Sequence, residues 1–253
     1  MNKKNDKILG VLGGMGPLAS AEFLKTIYEQ NISDEAEQGY PNVILHSITS
    51  MPDRTNVLMN NSDNRFLNRL VYHLELLCKA DVSHIIICCM TSHCFLHMLP
   101  QLLLDKIVSL IPVAINELER KKEPALLLAT MGTYHERLFE KEALLNNSDK
   151  YLVIPSDEDK QFIHNLIYDN LKKGKNISEV HQKIQRMLDN YKINSFVSGC
   201  TEFHLLVKYV LESGSGINFV DPLVSVAREY CTDSKYSAST PFIGGHILNM
   251  PCS

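Results

Sequence analysis

Ile85-Ile86-Ile87-Cys88-Cys89-Met90-Thr91-Ser92-His93 decides how the chain is read, and it has a counterpart in Phe196-Val197-Ser198-Gly199-Cys200-Thr201-Glu202. Each is a short apolar or β-branched run that ends in cysteine, with a hydroxyl residue close behind and a helical pattern after it. Such runs, alternating with helical stretches, predict the buried strands of an α/β fold with parallel sheets. In an open parallel sheet ligands sit beyond the carboxyl ends of the strands, where helix N-termini present free N–H groups. Two thiols delivered in that way, one from each half of the chain, are expected to face each other across a cleft and to move a proton.

Upstream of the first run, Ile8–Leu12 reads as a buried strand and Gly13-Gly14-Met15-Gly16 as a turn. Pro17 suits the first position of a helix that runs to Gln30. Gly14-x-Gly16-x-x-Ala19 fits a relaxed dinucleotide fingerprint, which calls for an acidic residue at the end of the next strand. That strand, Asn42–Thr49, ends in Ser47-Ile48-Thr49-Ser50 instead. The turn is therefore read as glycine backbone approaching a small anion, or as a plain tight turn. Met51–Thr55 forms a loop beyond the second strand, where Arg54 offers a planar fork that fits a carboxylate. A helix over Arg65–Ala80, a strand over Asp81–Cys89, a helix over His93–Leu104 and a strand over Ile107–Val113 follow.

The alternation then restarts. Pro124–Ala129 predicts a strand, Thr130–Thr133 a turn, His135–Leu145 a helix and Tyr151–Ile154 a short strand. Helices over Asp157–Lys173 and Ser178–Asn190 lead to the strand Ile193–Gly199, which delivers Cys200. Cys89 and Cys200 lie 111 positions apart in repeated contexts. Two lobes are expected, the first from 1–116 plus 214–253 and the second from 117–213, with Asn218–Pro222 returning the chain. Nothing is assigned to residues 234–253.

Composition narrows the function. The 253 residues are 45% apolar and 21% charged, with a net charge of −4, an ordinary globular balance without the basic excess that nucleic acid calls for. No run approaches the ~18 apolar residues of a membrane span. The apolar run after Lys7 is short and lacks a small-residue cleavage site, so export is rejected. Seven cysteines in a chain of this size read as reduced thiols of a cytoplasmic protein.

Six segments in order resemble the aspartate/glutamate racemase superfamily, with the cofactor-independent aspartate racemase branch closest. They are Ile8–Ser20, Pro52-Asp53-Arg54-Thr55, Cys89-Met90-Thr91-Ser92-His93, Leu128–Thr133, Ile167–Gly174 and Gly199-Cys200-Thr201-Glu202, and Asp221-Pro222-Leu223 fits the return segment. Glu202, where glutamate racemases have histidine, supports the aspartate branch. The resemblance implies two flavodoxin-like lobes related by a pseudo-two-fold axis, an active site between them, and neither pyridoxal phosphate nor metal. It implies Cys89 and Cys200 as paired acid and base. Arg54 and Lys172 become candidates for the substrate's distal carboxylate. Thr91, Thr133, Thr201 and the Gly14–Met15–Gly16 backbone become donors to its α-carboxylate, with Met90, Thr130 and Glu202 also at the site. By analogy it also implies a homodimer.

Racemising a free amino acid removes the α-proton from one face and returns one to the other. Two thiols suit this, one as thiolate and its partner protonated, with roles exchanged for the other enantiomer. Cys88 points to the opposite strand face from Cys89 and reads as core, as do Cys78, Cys94, Cys231 and Cys252. Cys88, Cys89, His93, Cys94 and His97 lack the paired spacing of a structural zinc site. His93 and Glu202 are the residues that could tune the thiols. Met90 departs from the family's asparagine and offers neither amide donor nor acceptor; Met90→Asn is expected to raise aspartate turnover. A maleate-isomerase-like cis–trans isomerase and a non-catalytic small-acid binding protein are the alternatives.

Overall fold

The strands expected to end in the two cysteines hold equivalent places in two sheets of one design. The computed structural model describes residues 7–34, 36–60 and 63–229. In the first sheet the strands are β1 (Ile8–Gly13), β2 (Asn42–Ser47), β3 (His84–Ile87) and β4 (Ile107–Val108), all parallel, in the order β2-β1-β3-β4. In the second they are β5 (Ala125–Ala129), β6 (Leu152–Val153), β7 (Ser195–Gly199) and β8 (Asn218–Val220), in the order β6-β5-β7-β8. The chain thus repeats one α/β topology, as its two cysteine-tipped runs predict. In each sheet the order reverses between the first strand and the third, so the crevice that receives ligands opens beyond β1 and β3, and beyond β5 and β7.

Strand periodicity then sorts the side chains. Leu9, Val11, Ile86 and Cys88 of the first sheet and Ala125, Leu127, Ala129 and Val197 of the second bury into one central core shared by both lobes. The alternate residues face outward. Ile85, Ile87 and Cys89 join the outer core of the first lobe, and Leu126, Leu128, Phe196 and Cys200 that of the second. Cys88 is therefore packing and Cys89 is on the other side, as expected. Cys231, Cys252 and segment 234–253 lie outside the described residues.

The lobes are tied by more than apolar contact. Helix Pro17–Glu29 packs against helices Phe203–Ser213 and Pro222–Glu229. Between them Asp221 accepts from Nδ1–H of His204 at 2.6 Å, and the other ring nitrogen meets the Thr26 hydroxyl at 2.9 Å, all fully buried. Asp221 also accepts the Leu223 N–H, which caps the last helix.

Several expectations are corrected. The strand expected over Ile107–Val113 is only Ile107–Val108; Leu110–Lys121 is a helix, with Pro112 in its first turn, where a missing N–H is harmless. The helix expected over His93–Leu104 is a 3-10 helix, Met90–Met98, and a short turn, Gln101–Leu104, divided by Pro100. The loop at Arg54 is the helix Arg54–Met59, capped by Asp53. The helix expected over His135–Leu145 is two, Met131–His135 and Leu138–Leu145, with Arg137 left-handed between them. Asp157–Lys173 ends as an α-helix at Asp169 and continues as the 3-10 turn Leu171–Lys173. Finally, Asn218–Val220 pairs with Ser195–Val197, so the second sheet extends to Val220, past the boundary expected at 213. The boundary expected at 116 falls inside helix Leu110–Lys121, which carries the chain from one sheet to the other.

Candidate active site

Beyond the ends of β3 and β7 lies a cavity of about 10 Å³, room for about one water molecule. The first lobe lines it with Arg54, Thr55, Cys89, Met90 and Thr91. The second adds Thr130, Tyr168, Lys172, Cys200, Thr201 and Glu202. Both cysteines are buried, each 6% exposed, so the structure brings together the two thiols that the sequence set 111 residues apart.

Local geometry aims each thiol. Cys89 N–H donates to the Ile87 carbonyl at 2.7 Å, a tight turn that ends β3 and swings the side chain out over the sheet. His93 holds that turn from behind: its Nδ1–H donates to the Cys89 carbonyl at 3.0 Å, and its Nε2 accepts the Leu110 N–H at 3.1 Å. These partners assign the tautomer, and the second caps helix Leu110–Lys121. His93 thus positions the Cys89 backbone and does not reach the thiol. Both its nitrogens are committed to the main chain, so it is no metal ligand, and no group of three metal-ligating side chains assembles among the described residues.

Burial also pushes the His93 pKa down to about 4, from an ordinary 6.5. The unfolded ring takes its proton near 6.5 and the folded one only near 4, so in that window the unfolded state binds more protons. Stability is whole above pH 6.5 and falls with pH toward 4, by up to about 3 kcal/mol. Urea unfolding at pH 7 and pH 4.5 should show a smaller acid loss in His93→Asn than in the parent; equal losses would refute this assignment.

The two thiols have different nearest charged partners. Arg54, 7% exposed, donates to the carbonyls of Met15 at 2.6 Å and Pro52 at 3.1 Å, which holds its guanidinium beside Cys89. Burial alone would lower its pKa, but the neighbouring Cys89, Asp53 and Glu202 outweigh that and raise it. Cys200 instead has a carboxylate for a neighbour: its Sγ–H donates to Glu202 Oε2 at 2.8 Å. Burial first, and then the charge of Glu202, push the Cys200 thiol well above its ordinary pKa, against a smaller opposing pull from Lys172.

Thr91 and Thr130 border the cavity, and Thr133 backs them from outside the lining. Thr91 meets Thr130 and Thr133 at 3.0 Å each, and Thr130 meets Thr133 at 3.2 Å, so the cluster joins the lobes. Each hydroxyl can rotate to donate to a carboxylate. At the lip, Tyr168 O–H donates to Asp53 Oδ2 at 2.7 Å, and Lys172 Nζ stands 3.5 Å from the same oxygen and 3.7 Å over the Tyr168 ring. Burial works to raise the Asp53 pKa, but hydrogen bonds from Tyr168 and the Asn56 N–H, with Lys172, bring it below its usual value. Thr55 and Tyr168 also line the cavity; each lies in a segment that carries the resemblance, Pro52–Thr55 and Ile167–Gly174, but neither was among the expected site residues.

The glycine turn has a different part from the one expected. Gly14 N–H donates to Ser20 Oγ at 3.3 Å, and Met15 receives Arg54 on its carbonyl, so the turn stands behind the lining. Gly14 has φ +86°, and a Cβ there would lie 2.2 Å from the Ile48 nitrogen. A Cβ on Gly16 would lie 2.4 Å from Glu202 Oε1, so the bare backbone makes room for that carboxylate. Thr201 Oγ1 donates weakly to the Cys88 carbonyl and Glu202, at 3.4 Å each. Met90, 1% exposed, borders the cavity and packs in the shared core. Met90→Asn would place an amide against apolar neighbours, so a stability loss of about 1–3 kcal/mol is expected in thermal or urea unfolding, whatever its effect on turnover.

The comparisons with known proteins agree with this fold. Residues 12–230 match the Asp/Glu/Hydantoin racemase family model. Among solved structures, the aspartate racemase of Picrophilus torridus superposes with a TM-score of 0.75 at 19% identity, covering 89% of this chain and 94% of that one. An aspartate racemase homologue from Pyrococcus horikoshii gives 0.64 at 20% identity, over 88% and 96% of the chains. The glutamate racemase of Francisella tularensis in complex with D-glutamate gives 0.55 at 14% identity, over 90% and 80%. With two lobes of matching topology and the family model spanning most of its length, the chain belongs to the Asp/Glu/hydantoin racemase family.

Proposed function

We propose that the protein racemises an acidic amino acid, aspartate first and glutamate second, with Cys89 and Cys200 as paired acid and base. The observation that carries this is the pairing itself: two thiols, at equivalent ends of duplicated strands, border one cavity. Proton removal on one face and return on the other needs two groups, and both belong to the chain, so the reading calls for no organic cofactor and no metal. Cys89, with the Arg54 guanidinium beside it, takes the first proton. Cys200, with its thiol held protonated, gives a proton to the opposite face; for the other enantiomer the roles exchange.

Negative charge develops on the substrate's α-carboxylate as the proton leaves. The Thr91–Thr130–Thr133 cluster supports that carboxylate with donors already in place, which lowers the barrier more than it tightens ground-state binding. Arg54 and Lys172 then fall to the distal carboxylate. Lys172 is held at the lip by Asp53, and the cavity is far smaller than an amino acid. Admission of substrate therefore requires the Asp53–Tyr168 and Asp53–Lys172 contacts across the lobes to part, as in hinge closure around other ligands.

A maleate-isomerase-like reaction adds one thiol to an alkene carbon and takes no α-proton from an amino acid. A binding protein leaves both thiols idle. The test is optical: L-aspartate, and separately L-glutamate, incubated with the protein and no added cofactor should lose ellipticity toward zero as the racemate forms. Conversion of maleate with no loss of ellipticity from either amino acid would replace this reading.

A further inference from the structure

Two buried polar atoms of opposite charge belong to lining residues and have no hydrogen-bond partner: Nε of Arg54 and Oε1 of Glu202. Glu202 is 3% exposed. A carboxylate oxygen buried without a donor is costly, and its retention points to a donor that the chain does not supply. Glu202 is also the one carboxylate in the cavity lining, among Arg54, Lys172, two thiols and several hydroxyls. Such a lining can satisfy two carboxylates, and among the described residues it offers a substrate cation a single carboxylate. An amino acid brings such a cation, an α-ammonium with donors only.

We infer that Glu202 receives the substrate's α-ammonium and so selects amino acids over dicarboxylates of the same length. The inference rests on the racemase reading and extends it to a specificity residue. The position fits the chemistry, because Oε2 of the same carboxylate accepts the Cys200 Sγ–H at 2.8 Å. The ammonium and the proton-donating thiol would then share one carboxylate. Gly16 leaves the space in which this carboxylate sits. The arrangement also couples binding to chemistry. The charge of Glu202 is one of the causes that hold the proton on Cys200, and an ammonium that offsets this charge loosens that proton as the substrate arrives. Met90, also in the lining, contributes neither a charge nor a strong acceptor.

The test uses Glu202→Gln, which keeps the side-chain length and an acceptor for Cys200, with calorimetric binding of aspartate, malate and succinate. The parent is expected to bind aspartate at least tenfold more tightly than succinate or malate. In Glu202→Gln, aspartate affinity should fall tenfold or more while succinate is unchanged or tighter. Equal loss of aspartate and succinate binding in the variant would overturn the inference, and so would a parent without preference for aspartate. The parent's preference among the three ligands is measured without any variant, so its absence overturns the inference even if Glu202→Gln fails to fold. A parent that exchanges the α-proton of aspartate, beside a Glu202→Gln variant with an unchanged preference, would overturn this inference alone. A parent that binds none of the ligands, nor glutamate, would overturn it together with the racemase reading.

Discussion

Cys89→Ser and Cys200→Ser should each lower racemisation of aspartate by about 10²–10⁴-fold, the range for removing a positioned acid or base. A serine hydroxyl fits either site, so the fold should stay intact, but it neither holds a negative charge near neutral pH nor returns a proton with ease. Enantiomers have equal free energies, so kcat/KM must fall by the same factor from L to D as from D to L. The two losses should be similar even though the thiols are unlike, because each turnover needs one group to take a proton and the other to give one. Initial rates in both directions with chiral separation of the products check this. A variant that kept a tenth of the parent rate would show that its thiol is packing.

Arg54 carries the second large effect, and it should divide by substitution. The guanidinium is held by two carbonyls and sits in the field of Cys89, Asp53 and Glu202. Arg54→Met removes one of the two cations, with Lys172, that offset the buried Glu202 carboxylate, which should cost on the order of 3 kcal/mol in urea unfolding. Arg54→Lys keeps the charge but not the fork, since an ammonium cannot hold Met15 and Pro52 while facing both thiol and substrate. It should fold with most of the parent's stability and lose about 10²-fold in kcat/KM through misplacement of the reacting groups. A lysine variant with near-parent activity would mean that the charge alone suffices and that the carbonyl contacts are structural.

These two residues also mark what the sequence made legible. The cysteines were found because each closes a repeated local pattern, an apolar run and then a hydroxyl, and a strand's period of two fixes which of Cys88 and Cys89 meets the cleft. Arg54 was placed at a strand end, but the helix it begins was read as loop, because a helix of six residues is too short to show a period. Ile107–Val113 shows the same ambiguity in an apolar run. There Pro112 and the distant His93, which caps Leu110, decide for helix, and a cap supplied from 17 residues away leaves no local signal. Thr55 and Tyr168 reach the site only through contacts between lobes, and neither carries a pattern of its own. The glycine turn was read as a place for an anion; the close neighbours that need its glycines are the Ile48 backbone and the Glu202 side chain.

The most direct measurement is proton NMR of L- and D-aspartate with the protein in D₂O. The two-thiol account predicts that the parent washes out the α-proton of both enantiomers, and that the product enantiomer carries deuterium at the α-carbon, because the proton it receives comes from a thiol equilibrated with solvent. If neither aspartate nor glutamate exchanges its α-proton in either configuration, the proposed chemistry is wrong, and the paired thiols serve another reaction.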